Sequence, residues 1–254
     1  MLDLVSSINL PAFRGLILGV KENLLPEAAE ELKAGLEAKR DRFFSSLSKR
    51  TLKVQTREGL ESLLKEIYPV RRLSQKILEE NGEEGFRREV FSLLYGWKGV
   101  EKRMARFMTE VKIPHDNPAI GRDLATELLH YTAPEEYWLW TRWIWDPKIK
   151  AGALCCMMEF VGKDRTWEKV GFGEDYKTIG RQLGSLQKLL QEEGWGVDGP
   201  FGVDIFLAYL YADYFYKLFL ATSKSLSGMF AKGFNFIYKL LGVPQVKMAL
   251  VGGG

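Results

Sequence analysis

The stretch PEAAEELKAGLEAKRDRFFSSL, residues 26–47, indicates the fold class of this chain. Its proline suits the first turn of a helix, and the glutamates that follow favour a helix N-terminus. Apolar residues recur along the stretch at helical spacing. They are Ala29, Leu32, Leu36, Phe43 and Leu47. The stretch therefore predicts a helix of about six or seven turns.

The same helical spacing recurs through most of the 254 residues, whereas alternating apolar and polar runs are scarce. We therefore predict an all-α protein, a multi-helix globular bundle. With 46% hydrophobic and 27% charged residues, the chain can bury a large core, which excludes a disordered protein. In the second half of the chain, helices are predicted near residues 121–131, 135–146, 150–161, 175–193, 203–221 and 225–241.

Two segments rich in proline and glycine interrupt the helical pattern. They are IPHDNPAIG, residues 113–121, and GWGVDGPFG, residues 194–202. The first is the better candidate for a boundary, because it holds two prolines and a glycine between two periodic segments. We therefore predict an N-terminal helical part, residues 1–112, packed against a C-terminal helical part, residues 113–254.

Charge and cysteine content bear on location and partners. The net charge of +3 is too small for a dedicated nucleic-acid binder. Cys155 and Cys156 are adjacent and cannot join distant segments, which favours a reducing, cytoplasmic location. Residues 205–221 are strongly apolar, but they are too short for a membrane span and include Asp213 and Lys217. We expect a buried helix there and no membrane span.

The sequence predicts neither a metal site nor a bound cofactor. The two histidines, His115 and His130, have no second ligand at the spacing that a zinc site requires. The chain also lacks the glycine-rich phosphate loops of nucleotide-binding proteins and the GxSxG motif of hydrolases.

The segment PAIGRDLA, residues 118–125, resembles the hairpin of the helix-hairpin-helix DNA glycosylases, in which a Pro-Gly-apolar-Gly turn opens a helix. The resemblance extends through residue 145, and Ala119 departs from it where the family has glycine. It implies that Pro118, Gly121 and Arg122 lie against a DNA phosphate. The positions that match the catalytic lysine and aspartate hold Asp123 and Trp140 or Thr141, so no glycosylase activity is implied. The alternative is an unrelated turn before a helix.

The segment YWLWTRWIW, residues 137–145, contains four of the seven tryptophans. In a helix, Trp138 and Trp145 would share one face, and Trp140 and Trp143 would share the opposite face. Such a helix fits one of two interpretations. Either it is a central helix packed on both sides, or one pair of indoles forms a surface that binds a partner.

Basic residues precede the hairpin-like segment. Lys102, Arg103 and Arg106 span little more than one helical turn, directly before that segment. We expect these three side chains to form a phosphate-facing patch together with Pro118–Gly121. A solvated helix face is the alternative for this cluster, and also for a second basic cluster in residues 39–57.

The apolar segment 205–221 also contains a stripe of polar residues. Tyr209, Asp213, Tyr216 and Lys217 project to one side of the predicted helix, and Asp213 and Lys217 have the spacing of an ion pair. This stripe could form a polar site among helices. The alternative is the outer face of a packed helix, with the tyrosine hydroxyls in water.

We expect a non-catalytic binding protein. One hypothesis is that the protein binds nucleic acid through residues 98–125. The second is a structural or assembly subunit that binds another protein through its aromatic-rich helices. The third is an enzyme whose site forms only in three dimensions, with Asp213, Lys217 and the tyrosines as candidates.

Overall fold

The computed structural model describes residues 3–114, 117–222 and 230–245; for residues 170, 219–222 and 230–234 it describes the backbone only. This part of the chain forms twelve α-helices and a short 3₁₀ helix at Leu52–Val54. The α-helices are α1 (Leu10–Asn23), α2 (Pro26–Ser46), α3 (Arg57–Lys65), α4 (Ser74–Asn81), α5 (Glu83–Tyr95), α6 (Val100–Glu110), α7 (Pro118–Thr132), α8 (Ala153–Val161), α9 (Thr166–Val170), α10 (Tyr176–Glu192), α11 (Phe201–Thr222) and α12 (Phe230–Leu241).

The all-α prediction is confirmed. Within the described residues there is no β-strand, only two isolated bridges that join Ile8 to Gly162 and Asp146 to Ala151. In the same part of the chain, no helix combines the length and the hydropathy needed to cross a membrane. The cytoplasmic location stays a prediction.

Helix boundaries follow the local signals in most places. Helix α2 spans the quoted stretch, and its apolar stripe is buried. Helix α1 is absent from the sequence prediction, although Asn9 caps it by accepting a hydrogen bond from the Ala12 N–H group. Helix α12 covers residues 230–241 of the helix predicted over 225–241, and residues 225–229 lie outside the described part.

Helices of the two predicted parts pack against each other. Helix α2 contacts both α7 and α11, and α1 contacts α8 and α11. The buried apolar side chains form one cluster that draws on helices from both sides of residue 112. The division into residues 1–112 and 113–254 stays a prediction.

Helix α7 is the central helix. Every residue from Gly121 to Thr132 is buried, and the helix packs against α2, α5 and α6. It ends before Pro134, because a proline disfavours helical geometry in the residue that precedes it. A helix surrounded on all sides was one interpretation of residues 135–146, and the structure gives that position to α7 instead.

The predicted helix over residues 135–146 is wrong. Residues 133–152 form turns and extended segments, and side chains from other elements bind their backbone. His130 donates from Nδ1 to the carbonyl of Tyr137 at 2.7 Å, and Thr126 donates to the carbonyl of Trp140 at 2.8 Å. Asp123 accepts a hydrogen bond from the Arg142 N–H group at 3.0 Å. These bonds satisfy backbone groups that a helix would otherwise pair internally.

The buried face of α7 carries charged side chains, and three of them pair with residues of other elements. The pairs are Asp123 with Arg142 at 2.7 Å, Glu127 with Lys39 at 3.5 Å, and His130 with Asp204 at 2.7 Å. Lys39 also donates to the carbonyls of Glu66 and Leu241, each at 2.9 Å, and lies 3.7 Å from the ring centroid of Tyr131. The charged residues thus connect α7 to α2, α11 and the 133–152 segment.

Replacement of Glu127 tests this buried network. Burial raises the pKa of Glu127 to about 7 from an ordinary value of 4.5, although Lys39 opposes the shift. Between these two values the folded protein holds a proton that the unfolded chain releases, so the free energy of unfolding falls as pH rises. Glu127→Gln removes this loss. The stability of the variant relative to the wild type should therefore rise through this pH window, by at most about 3 kcal/mol, on top of any pH-independent cost of the weakened contact with Lys39.

Urea unfolding from about pH 5 to about pH 8 measures this difference. Glu84→Gln, at an exposed glutamate of α5, is the matched control and should leave the profile nearly unchanged. A difference between Glu127→Gln and the wild type that stays flat or falls as pH rises would contradict the prediction.

Candidate functional site

The predicted phosphate-facing patch on α6 does not form as one exposed surface. Lys102 is exposed, but Arg103 is buried. The Arg103 guanidinium donates to the carbonyls of Leu93 and Leu94 and to the Tyr137 hydroxyl. Arg103 therefore joins the end of α5 to the 133–152 segment, and the expectation that it faces a ligand is corrected.

The Arg106 guanidinium forms an ion pair with the neighbouring carboxylate of Glu89. Its Nε and Nη2 atoms lie 3.1 Å and 3.2 Å from the two oxygens of Glu89, which is buried in α5 and also accepts from Arg88. Burial alone would raise the pKa of Glu89, but the hydrogen bonds from Arg106 and Arg88 hold it below its ordinary value. A bidentate pair with a buried carboxylate leaves Arg106 poorly available to a phosphate.

The hairpin-like segment forms the first turn of α7. Asn117 is the N-cap residue, and its side chain accepts from the Ala119 N–H group at 3.1 Å. The Ile120 and Gly121 N–H groups both donate to the Asn117 carbonyl, at 3.0 Å and 3.4 Å. Pro118 has no N–H group. The backbone donors that the hairpin resemblance assigns to a phosphate are therefore already bonded within the protein.

Arg122 and Asp123 belong to the interior. Arg122 is buried, with its guanidinium carbon 4.5 Å from the ring centroid of Trp140 and one nitrogen 3.3 Å from Asp123. Burial raises the pKa of Asp123, and the two neighbouring arginines, Arg122 and Arg142, oppose the shift. Arg122 thus compensates a buried carboxylate.

Three of the four clustered tryptophans are core residues. Trp140, Trp143 and Trp145 are buried, and the indole N–H groups of Trp140 and Trp145 donate to the carbonyls of Trp145 and Gly173. Because the segment is not helical, the predicted pairing of the indoles on two opposite faces is also wrong. Only Trp138 is half-buried and reaches the surface.

Trp138 and Lys102 lie on one shallow surface cavity of about 630 Å³, which we call the α6–α10 cavity. Its lining also includes Glu101 of α6 and Lys177 and Arg181 of α10. The indole of Trp138 packs on two glycines of α10; a Cβ atom added at Gly180 would lie 3.0 Å from Trp138 Cδ1. The structure thus brings together Lys102, which was predicted to bind nucleic acid, and Trp138, which was predicted to bind a partner.

A second cavity, of about 660 Å³, lies between α1 and α11, and we call it the α1–α11 cavity. One wall is formed by Ala12, Gly15, Leu16 and Gly19 of α1. Val20 of α1, Phe160 of α8, Leu210 and Ala212 of α11 and Ile237 of α12 add further apolar side chains to the lining. Pockets of about 300–1,000 Å³ with mostly apolar walls are typical of small-molecule sites.

The polar side of the α1–α11 cavity is the stripe of α11 from Tyr209 to Lys217, which the sequence analysis identified. Tyr209, Asp213, Tyr216 and Lys217 all contribute to its lining. Lys217 Nζ lies 2.6 Å from Asp213 Oδ2, which confirms the expected ion pair. Burial, reinforced by the Asp213 charge, raises the pKa of Tyr209 to about 12, so its hydroxyl stays protonated at neutral pH.

The glycines of α1 are the part of this site that the sequence reasoning missed. A Cβ atom added at Gly15 or at Gly19 would meet no atom within 4 Å, so both positions face open space. Glycine is an unfavourable residue inside a helix, and it leaves room for a ligand beside the backbone. The spacing of Ala12, Gly15 and Gly19, which places three small residues on one helix face, was the available signal.

The described residues contain no cluster of three side chains that could hold a metal ion. His130 is buried between the Tyr137 carbonyl and Asp204. Burial alone would lower the pKa of His130, but Asp204 and the Tyr137 carbonyl hold it above its ordinary value. Cys155 and Cys156 are buried free thiols of α8, and His115 lies outside the described residues.

Comparisons of this chain with protein-family models, with curated proteins and with solved structures gave no match.

The two neighbours Lys102 and Arg103 should respond differently to replacement by alanine. Lys102→Ala should change the free energy of unfolding by less than about 0.5 kcal/mol, because the side chain is exposed. Arg103→Ala should lower it by roughly 2–3 kcal/mol, because two carbonyls lose a charged donor. Urea unfolding of both variants measures this, and equal stability of the two would show that Arg103 is not a structural residue.

Proposed function

We propose that this protein is a binding protein for an amphipathic small molecule, which lies in the α1–α11 cavity. The observation that carries the proposal is the composition of the cavity wall. Small and apolar residues of α1, with Asn23 as the one polar residue of that helix in the described lining, face a stripe of two tyrosines, an aspartate and a lysine on α11. A ligand with an apolar body and one polar end matches this division, because each part would meet a wall of its own kind.

Binding is favoured over catalysis by the polar residues of the cavity. Asp213 and Lys217 are paired with each other, and neither histidine nor cysteine occurs among the described lining residues. Lys217 has 62% of its side chain exposed and lies 5.8 Å from the ring centroid of Phe160, at the solvent side of the cavity.

A cavity-filling variant tests the proposal. Gly19→Leu should place its side chain in the cavity and weaken binding of the neutral fluorescent probe N-phenylnaphthylamine at least about tenfold, which corresponds to about 1.4 kcal/mol. The variant should fold, because an added Cβ meets nothing within 4 Å and leucine has the better helix propensity. Probe fluorescence measures the affinity, and thermal unfolding checks the fold.

Gly85→Leu is the matched control. Gly85 lies in α5, does not line the α1–α11 cavity, and also has open space at its Cβ position. This variant should bind the probe as the wild type does. Probe binding that Gly19→Leu leaves unchanged, or no saturable binding to the wild type, would refute the proposed site.

We propose nucleic-acid binding at the α6–α10 cavity as a second candidate function. The observation that favours it is that a half-buried indole, Trp138, shares the cavity with the cations of Lys102, Lys177 and Arg181. A single strand could stack a base on the indole while the cations contact its phosphates. Glu101 in the same lining reduces the local positive charge. The helix-hairpin-helix resemblance adds no phosphate donors to this surface.

Salt dependence distinguishes this second candidate. The double variant Lys102→Ala/Lys177→Ala should weaken binding of a single-stranded oligodeoxythymidylate and reduce the salt slope by up to about 1.4, since each phosphate contact on a single strand contributes about 0.7. Lys169→Ala/Lys188→Ala, at two exposed lysines outside the cavity, is the control. Fluorescence anisotropy at two salt concentrations measures both. No affinity of the wild type at roughly 50 mM salt would exclude this function.

A further inference from the structure

The polar side of the α1–α11 cavity has a corner, formed by Tyr209, Asp213 and Lys217, in which two opposite charges already neutralise each other. Asp213 and Lys217 lie one turn apart on α11, and the distance between Nζ and Oδ2 is 2.6 Å. A charged ligand head placed beside this pair would be attracted by one member and repelled by the other at similar distances. It would also lose hydration on entering the cavity without gaining an unpaired counter-charge.

The hydrogen-bonding groups of the corner suit a head that both donates and accepts. Asp213 keeps a second carboxylate oxygen, which can accept a hydrogen bond. Lys217 keeps two N–H donors beyond the one that faces Asp213. Tyr209 adds a hydroxyl that bonds to no other residue in the described part of the chain. A single hydroxyl group can donate to the carboxylate and accept from the ammonium or from Tyr209 at the same time.

We propose that the ligand of the α1–α11 cavity is a neutral amphiphile, a long-chain alcohol, whose hydroxyl bonds to Asp213 and Lys217 while its hydrocarbon chain lies against α1. This inference rests on the proposed binding function and specifies the chemical class of the ligand. The hydrocarbon chain would cover Gly15 and Gly19, where the backbone of α1 is open to the cavity. Phe160, which is 52% exposed, would lose part of that exposure to the ligand.

A competition experiment with three chain-matched compounds tests the head group. Decanol, decanoate and decylamine each contain ten carbons, so their alkyl chains differ by at most one methylene, which changes the affinity by about fourfold, less than the tenfold difference expected here. At neutral pH they present a hydroxyl, a carboxylate and an ammonium group. Each compound is titrated, below its micelle-forming concentration, against wild-type protein with bound N-phenylnaphthylamine.

Decanol should displace the probe at a concentration at least about tenfold lower than either charged compound. Equal or better displacement by decanoate or decylamine would overturn the inference and leave the binding function intact. So would probe binding that depends on Gly19 but yields to none of the three compounds. Failure of the probe to bind the wild type is a different outcome, because it refutes the proposed function itself.

Two charge variants give an independent test. Lys217→Met leaves the Asp213 carboxylate without its cation, so the preference should shift towards decylamine. Asp213→Asn leaves the Lys217 ammonium without its anion, so the preference should shift towards decanoate. Both positions lie at the partly exposed end of α11, and thermal unfolding confirms that the variants fold. An order of preference that neither variant changes would show that the ion pair does not contact the ligand head.

Discussion

The structure depends on a helix whose charged side chains are enclosed by protein. Helix α7 is buried on every side, and a charge in such a position is tolerated only with a partner. The pairs are Asp123 with Arg142, Glu127 with Lys39, and His130 with Asp204. Loss of one partner from a buried pair typically costs about 3–5 kcal/mol, because the other charge stays buried alone. These pairs therefore determine which elements can pack around α7.

The same pairs hold the helices that form the α1–α11 cavity. His130 bonds to Asp204 in the first turn of α11, and Lys39 donates to the Leu241 carbonyl at the end of α12. Phe13 of α1 packs against Phe206 of α11, with ring centroids 6.1 Å apart. The cavity lies further along α11, where the side chains become half-exposed. The fixed first turns of α11 thus position the following turns, which carry the polar stripe.

Bonds within the protein also explain why the basic residues that the structure describes form no broad phosphate-facing surface. Four arginines are bound within the protein, to backbone carbonyls or to carboxylates. They are Arg103, Arg106, Arg122 and Arg142. A low-dielectric environment strengthens the bond between an arginine and a buried acceptor. An external phosphate would have to replace that bond. The exposed cations that share the α6–α10 cavity with Trp138 are on α6 and α10.

The sequence by itself determined the helical class, the main helices and the Asp213–Lys217 pair, because each follows from neighbours within about two turns. Only the tertiary structure decided the shape of residues 133–152, where Thr126 and His130 bond to backbone groups that a helix would use. It also decided that Gly19 of α1 faces α11, although α11 lies near the other end of the chain. Periodicity reports which face of a segment is apolar, but it does not report which distant segment supplies the partner of a buried polar group.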